Sequence, residues 1–449
     1  MRTFLCICIA TLLAASIVVW KLQPPASPDG RIVLTWVSDD NPTRKAQAAL
    51  FEKLHPNIKV NIDPANSGVE KVIVQSLAGV GPDVFDVFNS FQFAAYVNSG
   101  VAMDITDELR QSGIDLKTQV FPAALDVTVM DGRAYGIPTN IAADGIWYHA
   151  DLLREAGLEI PKDGWTWDQC IPIAQKLTQK GPDGRITRYG LLFEWWNWRH
   201  FFSGYRAKVY NENGTRCVVD SPSGIAAVQM MYDLVYKYHV SPTPVEETSM
   251  VTTGGFGSGY ISIFAAKRGA MAIGGRWWSS QLRETKGLEL RVAEAPYGTV
   301  HVSHAYARSM LVNKHSKHLA EALELQRYLA SEPYLELVND QADGLAVFRQ
   351  ADETPRFLFN PKYPNERDNG MWLKIMKIGV GDDVSPFVDA STAGRLISDQ
   401  LDLVRAGQKT AAEAMKSAAA NVNQAIQKSI NEDPTLAARY RSALRSTPP

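Results

Sequence analysis

At 449 residues, the chain exceeds the roughly 250–300 residues at which one hydrophobic core stops growing, so we expect at least two lobes. Hydrophobic residues make up 45% of the chain and charged residues 21%, which are ordinary values for a folded globular protein. The net charge of −2, in a sequence without a long basic stripe, removes the usual electrostatic basis for binding nucleic acid.

The first 30 residues predict a targeting segment and a linker. Met1 and Arg2 give a positive start, residues 4–20 (FLCICIATLLAASIVVW) are a mostly apolar run, and residues 23–30 (QPPASPDG) are rich in proline. The apolar run is intermediate in length between a signal peptide's core and a marginal transmembrane helix. We therefore expect residues 1–30 to be a cleaved signal peptide or an uncleaved membrane anchor. Either role predicts a periplasmic or other extracytoplasmic location.

Strand and helix patterns alternate after this segment. Strands are predicted at 31–38 (RIVLTWVS), 58–63 (IKVNID) and 83–89 (DVFDVFN), with helices at 39–56 and 69–81 between them. This alternation is typical of an α/β sheet covered on both faces, where ligands bind beyond the carboxyl ends of the strands. The loops 38–41 and 88–91 lie at those ends.

The remaining elements are predicted from periodicity and capping. Helices are predicted around 225–238 and 317–340, and strands at LRVAEAPY and YARSMLVN. Thr410 and Glu413 form a capping box that starts a C-terminal helix, whose apolar stripe runs from Ala414 to Ile426.

The sequence offers little for catalysis or cofactors. In the glycine-rich stretch 252–264 (TTGGFGSGYISIF), the segment GGFGSG lacks the spacing of a dinucleotide or phosphate-binding loop, so we interpret its glycines as a flexible turn. The histidines His301 and His304 fall on opposite faces of an extended segment, and His315 and His318 start a solvated helix, so we predict no metal site.

Two cysteines, Cys170 and Cys217, follow the targeting segment and allow at most one disulfide, which the sequence leaves open.

Several stretches, in this order and spacing, resemble the extracellular solute-binding proteins of ABC importers, of the family-1 type that includes maltose-binding protein. The matching stretches are LTWVSDDN, FEKLHPNIKVN, AGVGPDVFDVFNSFQFAAYVNSGVAMDITDEL, GRAYGIPTNIAADGIWYHADLLREAGL, GWTWDQCIPIAQKLT, RGAMAIGGRWW and AGQKTAAEAMKSAAANVNQAI. They run from about residue 31 to 430.

The resemblance implies a type II periplasmic binding-protein fold, with two α/β lobes and a ligand cleft between them. By analogy the N-terminal lobe takes 31–142 and 306–344, the C-terminal lobe takes 143–305 and 345–430, and residues 431–449 are a tail. GIPTNIAADG and HAYARSM would be hinge crossings. The implied function is that of a monomeric receptor, without cofactor or catalysis, that captures a carbohydrate and delivers it to a membrane permease. An exported carbohydrate-active enzyme and a ligand sensor for a signalling protein are the alternatives.

Two tryptophan-rich stretches, FEWWNWRHFF and GGRWW, suggest where a sugar would bind. An aromatic ring can stack on the C–H face of a sugar, and polar side chains can bind its hydroxyl groups. Aromatics without an arginine cluster favour a neutral sugar over an anionic ligand. The predicted ligand-binding residues are Ser38, Asp39, Asn41, Phe88, Asn89, Ser90, Asn140, Trp195, Trp196, Asn197, Arg276, Trp277, Trp278 and Tyr306.

Within this set, the resemblance implies that Trp277 is the stacking platform, because family members carry a Gly-x-Trp loop with a stacking tryptophan at this place. The preceding Gly274 and Gly275 would let the backbone turn tightly enough to present it. We expect Trp196 beside or opposite it and Asn197 at the polar rim. Extended backbone at Trp195 would direct it and Trp196 to opposite sides, one to the core and one to the cleft.

Overall fold

A computed structural model of the chain describes residues 29–64, 68–161, 164–250, 259–283, 285–348, 355–363 and 366–445. The predicted targeting segment and most of the glycine-rich stretch lie outside the described residues. Within these ranges, no helix has the length and apolar character needed to cross a membrane.

The strands are β1 (Ile32–Val37), β2 (Ile58–Asp63), β3 (Val84–Val87), β4 (Val129–Met130), β5 (Arg133–Ala134), β6 (Gly136–Ala143), β7 (Gly145–His149), β8 (Gln179–Lys180), β9 (Ile186–Leu192), β10 (Gly269–Gly274), β11 (Leu290–Glu294), β12 (Ser303–Val312) and β13 (Gly379–Val380). The helices are α1 (Pro42–Leu54), α2 (Val69–Leu77), α3 (Ser90–Asn98), α4 (Thr106–Gln111), α5 (Leu116–Gln119), α6 (Ala150–Glu155), α7 (Trp167–Leu177), α8 (Trp198–Gly204), α9 (Pro222–Tyr236), α10 (Pro244–Met250), α11 (Gly259–Ala265), α12 (Ser279–Leu282), α13 (Leu319–Tyr328), α14 (Glu332–Gln341), α15 (Pro355–Leu358), α16 (Asn369–Lys377), α17 (Ala390–Arg405), α18 (Ala411–Glu432) and α19 (Pro434–Arg445). Short 3₁₀ turns cover Pro122–Val127, Trp195–Asn197 and Arg276–Trp278.

The first sheet has the strand order β13-β12-β3-β1-β2, and β6 also pairs with β12. β1 is parallel to β2 and β3, whereas β12 is antiparallel to β3 and β6. All four residues of β3 are buried, which is typical of a strand covered on both faces. Because β1 and β3 are parallel, the loops that follow them meet at one edge of the sheet.

The second sheet has the order β11-β7-β10-β9-β8. Its central strand β10 is buried along its whole length. Helices α7, α8, α9, α17 and α18 pack in a second core, where Trp167 stacks on Phe201 with ring centroids 4.7 Å apart. The predicted C-terminal helix is confirmed as α18, with the Thr410–Glu413 capping box formed.

The helix predicted at 317–340 was wrong in its continuity. The segment 317–340 forms two helices, α13 and α14, instead of one. Pro333 lies in the first turn of α14. Proline lacks the N–H needed to continue a helix and is well accommodated at a helix start, so the break falls just before it.

Three connections run between the first sheet and either the second sheet or the helices that share its core. Asp144 joins β6 to β7, residues 295–302 join β11 to β12, and residues 381–389 lead from β13 to α17. The cysteines Cys170 and Cys217 are both buried and free, so the disulfide that the sequence left open is not formed. Among the described residues, no group of three or more histidine, cysteine or acidic side chains is placed to hold a metal ion.

Candidate ligand-binding cleft

A cavity of about 570 Å³ opens beyond the carboxyl ends of β1 and β3, against β6 and β12. Its lining residues are Asp39, Asp40, Asn41, Arg44, Pro64, Phe88, Asn140, Ala142, Trp277, Tyr306, Ala307, Arg308, Asp343 and Gly344. The predicted residues in this lining are Asp39, Asn41, Phe88, Asn140, Trp277 and Tyr306. Trp277, which follows the second sheet's β10, thus faces residues carried by the first sheet.

Local capping places the residues after β1. The Asn41 side chain accepts a hydrogen bond from the backbone N–H of Arg44 at 2.8 Å, and Pro42 occupies the first turn of α1. An asparagine cap followed by proline is a preferred way to start a helix. This cap fixes the direction in which α1 leaves the sheet, and therefore places Asn41 and Arg44 in the cavity wall.

An aromatic wall forms the opposite side. The indole N–H of Trp277 donates to the Tyr306 hydroxyl at 3.0 Å, and the Trp196 ring meets Tyr306 edge-on with centroids 5.6 Å apart. Trp196 lies outside the main lining and borders a neighbouring cavity of about 350 Å³. A Cβ on Gly275 would lie 2.8 Å from the Tyr306 oxygen and from Trp277 Cδ1. Gly275 therefore allows this close packing.

The neighbouring Trp278 has a different role. Its side chain is 1% exposed and packs at 5.9 Å from the ring of Phe264 in the core. Trp277, by contrast, is partly exposed.

The first tryptophan-rich stretch corrects two expectations. Residues 195–197 form a 3₁₀ turn instead of extended backbone, although Trp195 is still in the core and Trp196 is still partly exposed. Asn197 is fully buried: its side-chain oxygen accepts from the Glu194 N–H at 2.9 Å, and its amide donates to Asp144 at 3.4 Å. The prediction that Asn197 lies at a polar rim is therefore wrong. A buried amide needs such partners, and here they are supplied by the turn.

Four other predicted residues serve the fold and lie outside the cavity lining. Ser38 is buried and donates to Asp86, Asn89 caps α3, and Ser90 is buried in its first turn. Arg276 is also buried, and its guanidinium donates hydrogen bonds to the Asn369 side-chain oxygen at 3.0 Å and to the Asn339 carbonyl at 3.1 Å.

A buried charge network lies in the cavity wall, and the sequence did not predict it. Arg44 pairs with Asp343 at 2.9 Å, while Arg308 lies 3.7 Å from Asp343 and 3.5 Å from Asp86. Burial acts to raise the pKa of Asp343, but the two guanidiniums outweigh it and lower that pKa to about 2. Burial raises the pKa of Asp86 despite the same two arginines. The expectation of a site without clustered arginines is therefore wrong, although the guanidiniums are paired with carboxylates.

A second buried cluster lies next to the aromatic wall. His304 Nε2 is 3.1 Å from Asp382 and Nδ1 is 3.5 Å from Asp144. The imidazole stacks on Tyr306 with centroids 5.3 Å apart. Burial acts to lower the pKa of His304, but the two carboxylates outweigh it and raise that pKa to about 9. From the sequence, His304 was only one of four candidate zinc ligands.

The family model of bacterial extracellular solute-binding proteins matches residues 37–336. The chain belongs to this family. The family is one of extracellular binding proteins, in agreement with the export predicted from residues 1–30.

Individual relatives match more weakly. An uncharacterised ABC transporter extracellular-binding protein of Pyrococcus horikoshii is 30% identical over 142 residues, covering 30% of this chain and 31% of the relative. A putative ABC transporter periplasmic-binding protein of Escherichia coli is 29% identical over 202 residues, which cover 41% of this chain and 44% of the relative. The chain thus aligns with less than half the length of these two relatives. The maltodextrin-binding protein of Bacillus subtilis is 23% identical over 389 residues, covering 79% and 80%.

Solved structures match over most of the chain. An ABC substrate-binding protein of Listeria monocytogenes, in complex with cycloalternan, has a TM-score of 0.75 at 21% identity and covers 88% of this chain and 98% of its own. A maltose-bound protein of T. maritima has a TM-score of 0.73 at 20% identity and covers 88% and 99%. The predicted two-lobed α/β periplasmic binding-protein fold is confirmed.

Proposed function

We propose that this solute-binding protein captures a carbohydrate in the 570 Å³ cavity and delivers it to the permease of an ABC importer. The observation that carries the proposal is the contrast between the two walls. The Trp277–Tyr306 pair offers ring surface for sugar C–H groups, and the facing wall offers the polar side chains of Asp39, Asn41 and Asn140 for hydroxyl groups. The cavity volume lies within the range of small-molecule sites.

The likeness to known proteins supports the carbohydrate class. The matched Listeria structure contains cycloalternan, the T. maritima structure contains maltose, and the B. subtilis relative is a maltodextrin-binding protein. We propose that the present chain acts in the same way, as a monomer and without chemistry on the sugar. Residues 1–30 would serve as its signal peptide or its membrane tether, which mass spectrometry of the exported protein distinguishes.

The lobes proposed to close on the sugar are 31–142 with 306–344, and 143–305 with 345–430. The 3.0 Å hydrogen bond between Trp277, which follows strand β10 of the second sheet, and Tyr306 on β12 of the first sheet supports closure, because it joins the two sheets within the aromatic wall of the cavity.

A thermal-shift panel tests the function. Purified protein is heated with mono- and oligosaccharides, amino acids and metal ions. A ligand that binds only the folded state at about 100 times its Kd adds about 2.7 kcal/mol to the free energy of unfolding. We expect at least one carbohydrate to raise Tm. Stabilisation only by amino acids or metal ions would contradict the proposal, and chromatographic detection of sugar products would identify an enzyme instead.

A further inference from the structure

One titratable side chain in or directly after each of the three connections belongs to a single buried cluster. Asp144 is the residue between β6 and β7, His304 is the second residue of β12 and directly follows the second connection, and Asp382 lies in the third. Asp144 is fully buried, and the side chains of His304 and Asp382 are 3% and 11% exposed. The place where the sheets would pivot in the proposed closure is therefore also a cluster of buried ionisable groups.

The geometry of the cluster favours an imidazolium. Asp382 faces Nε2 of His304 at 3.1 Å and Asp144 faces Nδ1 at 3.5 Å. A neutral imidazole has only one N–H, so it can satisfy one of these carboxylates and must present a lone pair to the other. The main chain holds the same residues together, since the Asp144 N–H donates to the His304 carbonyl at 2.9 Å.

The cluster contacts the ligand cavity through Tyr306. The His304 ring stacks on the Tyr306 ring at an interplanar angle of 26°. The Tyr306 hydroxyl in turn accepts a hydrogen bond from the indole N–H of Trp277, and Tyr306 lines the cavity. Movement of His304 would therefore displace the aromatic wall.

We propose that His304, in its protonated form, is a positioning residue for ligand capture: it fastens the three connections in one arrangement and holds Tyr306 in the cavity wall. This inference rests on the proposed function of that cavity. It predicts that affinity depends on pH through a group that does not touch the ligand.

The pH dependence of affinity must be considered together with the other titratable and charged groups packed around His304. They are Asp144 and Asp382 on the other two connections, Arg199 and His200 on α8, and Asp126 in the 3₁₀ turn Pro122–Val127. Burial lowers the pKa of His200. Burial and the nearby Asp382 raise the pKa of Asp126 to about 7.

His304, whose pKa is raised to about 9, thus loses its proton at a pH above that at which Asp126 titrates. Its contribution to stability is fully present below the unfolded-state pKa of about 6.5 and is lost as pH rises through about 9.

Calorimetric titration with the panel sugar that raises Tm most measures the effect on affinity. One pH unit above a pKa of about 9, only about one molecule in eleven keeps the proton, so Kd should rise about tenfold between about pH 7 and about pH 10. In His304→Gln, Kd should already be raised at neutral pH, and the step between the two pH values should be absent. His315→Gln is the matched control: His315 is exposed, and this variant should retain the wild-type profile.

A histidine NMR titration of the ligand-free protein keeps the test independent of sugar binding and of the folding of the variant. The inference expects one imidazole of the wild-type protein to titrate with a midpoint near pH 9. An ordinary midpoint for every histidine would overturn it, as would a wild-type Kd that stays constant while that imidazole deprotonates. If no carbohydrate binds at all, the proposed function fails, and a titration near pH 9 would still support the buried imidazolium.

Discussion

The adjacent tryptophans Trp277 and Trp278 allow a test in which two similar substitutions should have opposite effects. Trp278 is 1% exposed and packed in the core, so Trp278→Ala should lower the free energy of unfolding by about 3–5 kcal/mol. Trp277 is partly exposed in the cavity wall. Trp277→Ala should therefore cost much less stability but weaken sugar binding by about 1–3 kcal/mol, on the scale of ring stacking against nucleic-acid bases. That range corresponds to roughly 5- to 150-fold in Kd.

Urea denaturation gives the free energy of unfolding of each variant, and calorimetric titration gives its Kd for the sugar. Each variant is the control for the other, because both remove an indole from the same 3₁₀ turn. A Trp277→Ala variant that unfolds readily, beside a Trp278→Ala variant that folds but loses affinity, would show that the cavity and core roles are reversed. Normal folding and binding in both variants would show that this turn is not part of the binding site.

Two further predictions concern the proposed closure of the lobes and the buried charges in the cavity wall. Small-angle scattering should give a smaller radius of gyration when the stabilising sugar is saturating, because the lobes close on it; an unchanged profile would contradict closure. Asp343→Asn should lower the free energy of unfolding in urea by about 3–5 kcal/mol, because it leaves Arg44 and Arg308 buried with less compensating charge. The stabilisation that the Asp343 carboxylate contributes is present above the unfolded-state pKa of about 3.9 and is lost as pH falls through about 2. The exposed pair Arg395–Asp399 provides the control, since Asp399→Asn should change the free energy of unfolding by under about 1 kcal/mol. Equal effects from the two substitutions would refute the importance of the buried pair.

The elements that sequence predicted well are those set by local pattern. β1 to β3 and the two helices between them follow from apolar periodicity, and α18 follows from its capping box and apolar stripe. The loop after β1 could be placed at the cavity for the same reason, because alternation of strand and helix fixes which edge of the sheet a loop occupies.

Non-local packing explains what the sequence did not predict. Arg308 enters the cavity because β12 crosses back beside β6, and Arg44 reaches it from the first turn of α1. Nothing in either local pattern reveals that the two guanidiniums share Asp343. The error at Asn197 has a different cause: a 3₁₀ turn has about three residues per turn, so successive side chains do not alternate between two faces as they do in a strand.

The position of Tyr306 shows how the cavity and the proposed hinge can be physically connected. Its ring stacks on the His304 imidazole, its hydroxyl accepts a hydrogen bond from Trp277, and the Trp196 ring packs perpendicular to it. Trp277 and Trp196 belong to segments that follow strands of the second sheet, whereas Tyr306 belongs to β12 of the first. A rotation between the sheets therefore changes these aromatic contacts directly. Conversely, a sugar that binds the paired rings more tightly than the separated ones stabilises the closed arrangement by that difference in affinity, without a need for contact with His304 itself.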